Sequence, residues 1–106
     1  MVIIVEKEEF IKRLTELRMN KGVSARDMSL SLGQSPGYIN NIENGVNLPS
    51  MSLFFYICDY FGITPLEFFD MDNSDPAKIR EIAEASKGLT SEQLIHVIAI
   101  INDIKK

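Results

Sequence analysis

The sequence is poor in the residues on which covalent and metal chemistry depends. Its 106 residues include one cysteine, Cys58, one histidine, His96, and no tryptophan. A single cysteine excludes an intrachain disulfide framework and a zinc site built from several cysteines. The sequence shows no nucleophile–base pair, no metal-ligand cluster and no glycine-rich phosphate loop. We therefore expect no catalytic residue, no metal ion, no cofactor and no identifiable small-molecule ligand.

Basic residues are also scarce. The chain has 11 lysines and arginines against 15 aspartates and glutamates, which gives a formal net charge of −4. Proteins that bind nucleic-acid phosphates normally carry a basic footprint. Taken alone, this charge balance argues against a nucleic-acid partner.

Long apolar runs are missing as well. Residues 1–5 form an apolar arm, but it is too short for the core of a signal peptide and acidic residues follow it directly. No other run approaches the length that spans a bilayer. We expect a cytoplasmic protein with no membrane partner, and the lone thiol agrees with a reducing compartment.

Start and stop signals for helices divide the rest of the sequence into short segments. The spacing of apolar residues predicts a first helix over residues 6–20, and a serine cap predicts a second over residues 25–32. Ser35 and Pro36 predict the start of a third helix, which stops at Gly45. A fourth helix is expected between residues 50 and 62 and a fifth between residues 64 and 69. Residues 1–70 are therefore predicted to form a compact all-α domain.

Residues 71–106 are predicted to form a separate C-terminal helical extension. The polar segment Met71 to Asp75 is the clearest internal boundary. Asp75 and Pro76 then predict the start of a sixth helix, which Gly88 closes. A capping box of Thr90 and Gln93 predicts a seventh helix that reaches the C-terminus.

Single residues inside these helices carry further expectations. Cys58 falls on the apolar stripe of the fourth helix, which predicts a buried and inert thiol. Lys12 and Arg13, like Lys21 and Arg26, could be solvated charges. His96 lies opposite the apolar stripe of the last helix and is expected to be solvated too.

Residues 24–45 contain two short helices that are joined at Gly33 by a tight turn. Such a turn forces the helices to cross steeply, which is the geometry of a helix-turn-helix. The segment resembles the phage-repressor helix-turn-helix family of the Cro and C1 type (XRE) in Ser29, Gly33, Ser35, Ile39 and Ile42. The most specific part is Ile42-Glu43-Asn44-Gly45 followed by Pro49-Ser50, and the resemblance covers roughly residues 6–70. It implies a five-helix lambda-repressor-like domain followed by two C-terminal helices.

The resemblance also implies that the third helix enters the major groove of double-stranded DNA. By this resemblance, residues at the start of the third helix and one turn later would face the bases. Neighbouring side chains would reach the bases or the DNA backbone. The start of the second helix would contact phosphate. The implied DNA-binding residues are Ser24, Arg26, Ser35, Pro36, Gly37, Tyr38, Asn40, Asn41 and Asn44. Arg18 and Glu43 match an architectural ion pair of the family.

Several positions depart from the family pattern. Ala25 stands where relatives often use glutamine to grip phosphate, and Arg26 is a possible substitute beside it. Pro36 and Gly37 cannot hydrogen-bond a base, although proline can touch a thymine methyl and glycine permits close backbone approach. Asn40, Asn41 and Asn44 could instead be the solvated side of a short helix, and Tyr38 could be a surface aromatic packed on a neighbour.

The last helix carries an apolar stripe formed by Leu94, Val97, Ile98, Ile101 and Ile104. Further apolar residues widen it beyond half of the helix circumference, whereas docking on one surface needs a narrower face. The helix could lie in a groove between the first domain and the sixth helix, or it could pack against its own copy. We predict a homodimer, whose two-fold symmetry would suit pseudo-palindromic DNA.

These observations predict a dimeric transcriptional repressor that reads the major groove with residues 35–44. The alternative is a protein-interaction module, such as an antitoxin-like or regulatory partner, that keeps the fold but does not bind DNA. Residues 1–70 hold six basic and nine acidic side chains, so we expect weak non-specific affinity for DNA.

Overall fold

The computed structural model describes residues 6–106, and this part of the chain contains seven helices and no strand. The apolar arm of residues 1–5 lies outside the described residues. The helices are α1 (Lys7–Lys21), α2 (Ala25–Ser31), α3 (Tyr38–Glu43), α4 (Met51–Phe61), α5 (Pro65–Phe68), α6 (Pro76–Ser86) and α7 (Ser91–Ile104). The predicted all-α fold class is therefore confirmed. No helix among the described residues is both long and apolar enough to cross a bilayer.

The chain divides into a first compact unit that ends at Pro76 and a second formed by Ala77–Lys106. The core of the first unit contains side chains from α1 to α5, including the fully buried Leu14, Met28, Ile57 and Phe68. An aromatic group joins three helices of this core, since the Phe54 ring lies 5.1 Å from that of Phe68 and 5.9 Å from that of Phe10. The core thus packs the short helices α2 and α3 together with the longer helices α1 and α4.

Most helices of the structure begin where local capping signals in the sequence predict a start. Ser50 Oγ accepts a hydrogen bond from the Leu53 N–H at the start of α4. Thr64 and Glu67 form a reciprocal capping box at α5, as Thr90 and Gln93 do at α7. These contacts join residues three apart in the sequence, so the sequence alone predicts them.

Arg13 corrects one sequence prediction, because its side chain is buried in the first unit with 2% exposure. Its guanidinium donates Nε–H to the Phe68 carbonyl at 2.6 Å and further N–H groups to the carbonyls of Glu67 at 2.7 Å and Asn73 at 2.9 Å. Burial lowers the pKa of Arg13. Three carbonyl acceptors compensate for the lost hydration of the charge, which is why an arginine is stable at this position.

The polar segment after α5 packs against the first unit. Asn73 is buried, its carbonyl accepts from Arg13, and the Asn20 side chain donates to the Ser74 carbonyl at 3.3 Å. The compact unit consequently extends six residues beyond residue 70.

The second unit consists of α6 from Ala77 onward, a turn at Gly88 and α7. No residue of α7 is buried, and its exposed isoleucines include Ile98 at 55% and Ile104 at 76%. On α6, Ile79 and Ile82 are also about half exposed, at 52% and 51%. The second unit thus presents uncovered apolar surface on both of its helices.

Candidate nucleic-acid interface

The two short helices α2 and α3 pack on each other through side chains with no solvent exposure. Met28 of α2 and Ile39 and Ile42 of α3 are completely buried. Between the helices the chain turns at Gly33, whose φ of 73° lies in the left-handed region that favours glycine. The packing leaves the opposite side of α3 free for a partner.

Ser29 attaches the start of α3 to α2. Its hydroxyl donates to the Ala25 carbonyl at 2.7 Å and accepts the Ile39 N–H at 2.9 Å, and the residue has no solvent exposure. Ile39 is the second residue of α3, where an N–H has no partner within the helix. A side chain from the neighbouring helix therefore supplies the cap.

The start of α3 corrects the prediction made from Ser35 and Pro36. The helix begins at Tyr38 and its N-cap residue is Gly37, while the Ser35 carbonyl accepts the Tyr38 N–H in a turn. Ser35 therefore does not act as the cap, and Pro36 does not occupy the first helical position. The signal that could have identified the true cap is Ser29, a small hydroxyl residue on the buried side of α2.

Arg18 and Glu43 connect α1 to the last residue of α3. The guanidinium meets the carboxylate through two hydrogen bonds of 2.7 and 2.9 Å, and a third N–H donates to the Val23 carbonyl at 2.9 Å. The side chains are only 17% and 13% exposed, and the hydrogen bonds that Arg18 donates to Glu43 raise the pKa of Arg18. This pairing neutralises the only charge within α3.

Most of the predicted DNA-binding residues lie on the surface. Ser24, whose Oγ accepts the Asp27 N–H at 3.0 Å, and Arg26 are exposed at the start of α2. Residues 35–37 are exposed in the turn before α3, and the exposed residues of α3 and its end are Asn40, Asn41 and Asn44. The side chains of these three asparagines make no hydrogen bond to any residue that the structure describes. Residues 40 and 44 are one turn apart, so they share a side of the helix.

Tyr38 differs from its neighbours because it is half-buried and packs against the hydrophobic core. Burial raises the pKa of its phenol. The structure thus gives Tyr38 a packing role at the first position of α3, and only part of its ring remains available to a partner.

Few cations of the first unit are free to attract phosphate. Arg13 is buried, Arg18 is paired, and Lys7 Nζ donates to the Gly45 carbonyl at 2.6 Å. The Lys21 ammonium lies 4.8 Å from the centre of the Tyr60 ring. Arg26 is therefore the principal exposed cation of the α2–α3 surface.

The start of α1 carries three exposed carboxylates, those of Glu6, Glu8 and Glu9, within 4.8 Å of one another. Acidic groups at this end of a helix interact favourably with its dipole. Their position is explained by the helix itself.

Comparison with known proteins identifies the family. A helix-turn-helix family model (HTH_3) matches residues 14–68, which include α2, α3 and the buried contacts that orient them. No curated protein and no solved structure matches the chain. The match covers more than half of the sequence, and the geometry of α2 and α3 agrees with it. The chain belongs to the Cro/C1-type helix-turn-helix family of DNA-binding regulators.

Proposed function

We propose that this chain is a sequence-specific transcriptional repressor that reads the DNA major groove with residues 35–44. The observation that carries the proposal is the exposed, uncharged surface of α3, on which three asparagine amides lack partners among the described residues. Ser29 and the Arg18–Glu43 pair hold this surface from behind. A rigid support is what a base-reading helix requires.

The side chains on this surface suit base recognition. An asparagine side chain can donate its amide N–H to adenine N7 and accept a hydrogen bond from the adenine N6 amino group. Each such bidentate contact favours the correct base over a wrong one by about 1–3 kcal/mol. Pro36 offers only apolar contact, and Gly37 permits close approach of the backbone. We therefore assign base reading mainly to Asn40, Asn41 and Asn44, with Ser35 beside them.

Phosphate contact is assigned to the start of α2, where Arg26 and Ser24 are exposed. The net acidity of the first unit does not lie on this surface, since α2 and α3 contain only Arg26, Asp27 and the paired Glu43 as charged residues. Because few cations are available, we expect a shallow dependence of affinity on salt and weak non-specific binding.

A homodimer formed through the second unit completes the proposal. The apolar side chains Leu94, Val97, Ile98, Ile101 and Ile104 follow one another at helical spacing on α7, where no residue is buried. A second copy could cover this surface by an isologous contact. Two copies would then bind half-sites about one helical turn apart, and occupancy of a promoter would block polymerase.

The test of the proposal begins with selection of preferred sites from a random DNA pool by the full chain. Affinity for the selected site is then measured over a salt series for the chain and for Asn41→Ala and Arg26→Ala. We expect Asn41→Ala to relax sequence preference at one position, and Arg26→Ala to weaken binding to all sequences and to reduce the salt slope by about one.

Matched controls are Asn102→Ala, an exposed asparagine of α7, and Lys12→Ala, an exposed cation of α1. Both should retain the affinity and the preference of the unaltered chain. Absence of any DNA binding across the salt series would contradict the proposal. That result would favour the interaction module, which the acidic net charge and the lack of hydrogen-bonding side chains at Pro36 and Gly37 support.

A further inference from the structure

A depression lies on the surface of the first unit between the end of α2 and the second half of α4. Its volume is about 360 Å³, and it is lined by Ser31, Leu32, Tyr56, Asp59 and Tyr60. Tyr56 is 60% exposed, and Ser31 and Asp59 are exposed as well. The depression is therefore open to solvent and accessible to a partner.

Two tyrosine rings form the aromatic part of this depression. Tyr56 and Tyr60 are four residues apart on α4, which places them on the same side of the helix. Tyr60 and Leu32 are half-buried and pack against the hydrophobic core, and the centres of the Tyr60 and Phe61 rings lie 5.4 Å apart in an edge contact. The protein thus holds the Tyr60 ring in place before any partner binds.

The electrostatic character of the depression favours a cation. The Asp59 carboxylate lines it and makes no hydrogen bond or ion pair with any residue that the structure describes. The face of a tyrosine ring also attracts cations. This attraction already acts in the fold, since the Lys21 ammonium lies 4.8 Å from the centre of the Tyr60 ring. A cation that enters the depression therefore meets a carboxylate and two aromatic rings.

We propose that this depression binds an arginine side chain of a partner protein. A guanidinium is planar, so it can stack on a tyrosine ring while its edge donates two parallel hydrogen bonds to a carboxylate. Small-molecule pockets enclose most of their ligand, whereas an open depression suits one side chain that a larger partner presents. Residues 1–70 hold nine acidic and six basic side chains, and this balance favours a basic surface on the partner.

The test is an NMR titration of the full chain with a single arginine residue whose two ends are blocked by acetyl and methylamide groups. We expect saturable shifts of the Tyr56 and Tyr60 ring resonances, with a dissociation constant in roughly the millimolar range. The matched citrulline derivative has the same shape without the charge, and the lysine derivative has the charge without the planar group. Both should bind at least about fivefold more weakly. Absence of saturable shifts, or equal affinity for either control compound, overturns the proposal.

Two variants assign the contacts within the depression. Asp59→Asn removes the charge at nearly constant size and should weaken binding of the arginine derivative by at least about tenfold. Tyr56→Ala should weaken it by about two- to fivefold. Glu92→Gln alters an exposed carboxylate of α7 and should leave the titration unchanged. Full affinity of Asp59→Asn contradicts the proposal. None of the lining residues is assigned to DNA, so these results do not depend on the proposed function.

Discussion

At the scale of single residues, Arg13 is the least expected feature of the fold. A charged residue next to Lys12 on a surface helix is typical of solvent exposure, and nothing within four residues of Arg13 predicts otherwise. The acceptors that explain its burial come from residues 67, 68 and 73. Only the tertiary structure brings those carbonyls to α1, so the sequence could not have revealed this contact.

We expect Arg13→Met to lower the free energy of unfolding by roughly 2–4 kcal/mol, because three carbonyls lose their charged donor. Urea denaturation followed by circular dichroism measures the change. Lys12→Met is the matched control, since Lys12 is exposed on the same helix, and its effect should stay within about 0.5 kcal/mol. A loss below 1 kcal/mol for Arg13→Met would show that the guanidinium contacts contribute little.

Cys58 makes the free energy of unfolding depend on pH in the alkaline range. Burial, with a smaller contribution from the charge of Asp59, raises the pKa of its thiol from 9.0 to about 11. Between these two values the unfolded chain loses the thiol proton while the folded chain retains it, so stability present below pH 9 is lost as the pH rises towards 11. The slope is at most about 1.4 kcal/mol per pH unit.

Urea unfolding at pH 8, 9 and 10 measures this dependence. The same series on Cys58→Ala removes the thiol and leaves the other titrating groups, so the difference between the two chains isolates Cys58. We expect the decline to be steeper for the unaltered chain. Parallel curves would show that the thiol does not change its pKa on folding.

At the scale of elements, the sequence predicts the start of a helix when the capping residue is only a few positions from the N–H that it accepts. The starts of α2, α4, α5 and α7 follow from a serine or threonine that receives an N–H from three residues on. The start of α3 could not be predicted in this way, because its cap, Ser29, is ten residues away on another helix. The site residues are predicted from their positions in the motif, whereas the contacts that orient α3 are tertiary.

Ser29→Ala tests the importance of this cap. The change leaves the buried Ile39 N–H without an acceptor, which costs about 1–3 kcal/mol. Ser31→Ala is the matched control because Ser31 is exposed on the same helix and gains the same helix propensity. We expect only Ser29→Ala to lower the thermal midpoint. Equal midpoints for the two variants would mean that Ser29 does not hold α3.

At the scale of the whole molecule, the uncovered apolar surface of α7 bears on the number of chains in solution. Truncation after Gly88 removes α7 entirely, and the proposed homodimer should then sediment as a monomer at concentrations where the full chain is dimeric. Substitution of His96, Asn102 and Asp103 by alanine in the full chain provides a control that changes only polar positions of α7. Retention of the full-length sedimentation behaviour by the truncated chain would contradict the dimer.

The contacts of Arg13 also carry a consequence for the order of folding during synthesis. They join positions 54 to 60 residues apart, whereas Ser29 and Ile39 are separated by ten. Loops of this length close later than local ones, and residues 67–73 leave the ribosome after α2 and α3 are complete. The α2–α3 pair can therefore form on the nascent chain while the Arg13 guanidinium is still hydrated. The guanidinium exchanges this water for protein acceptors only when the carbonyls of residues 67, 68 and 73 reach it.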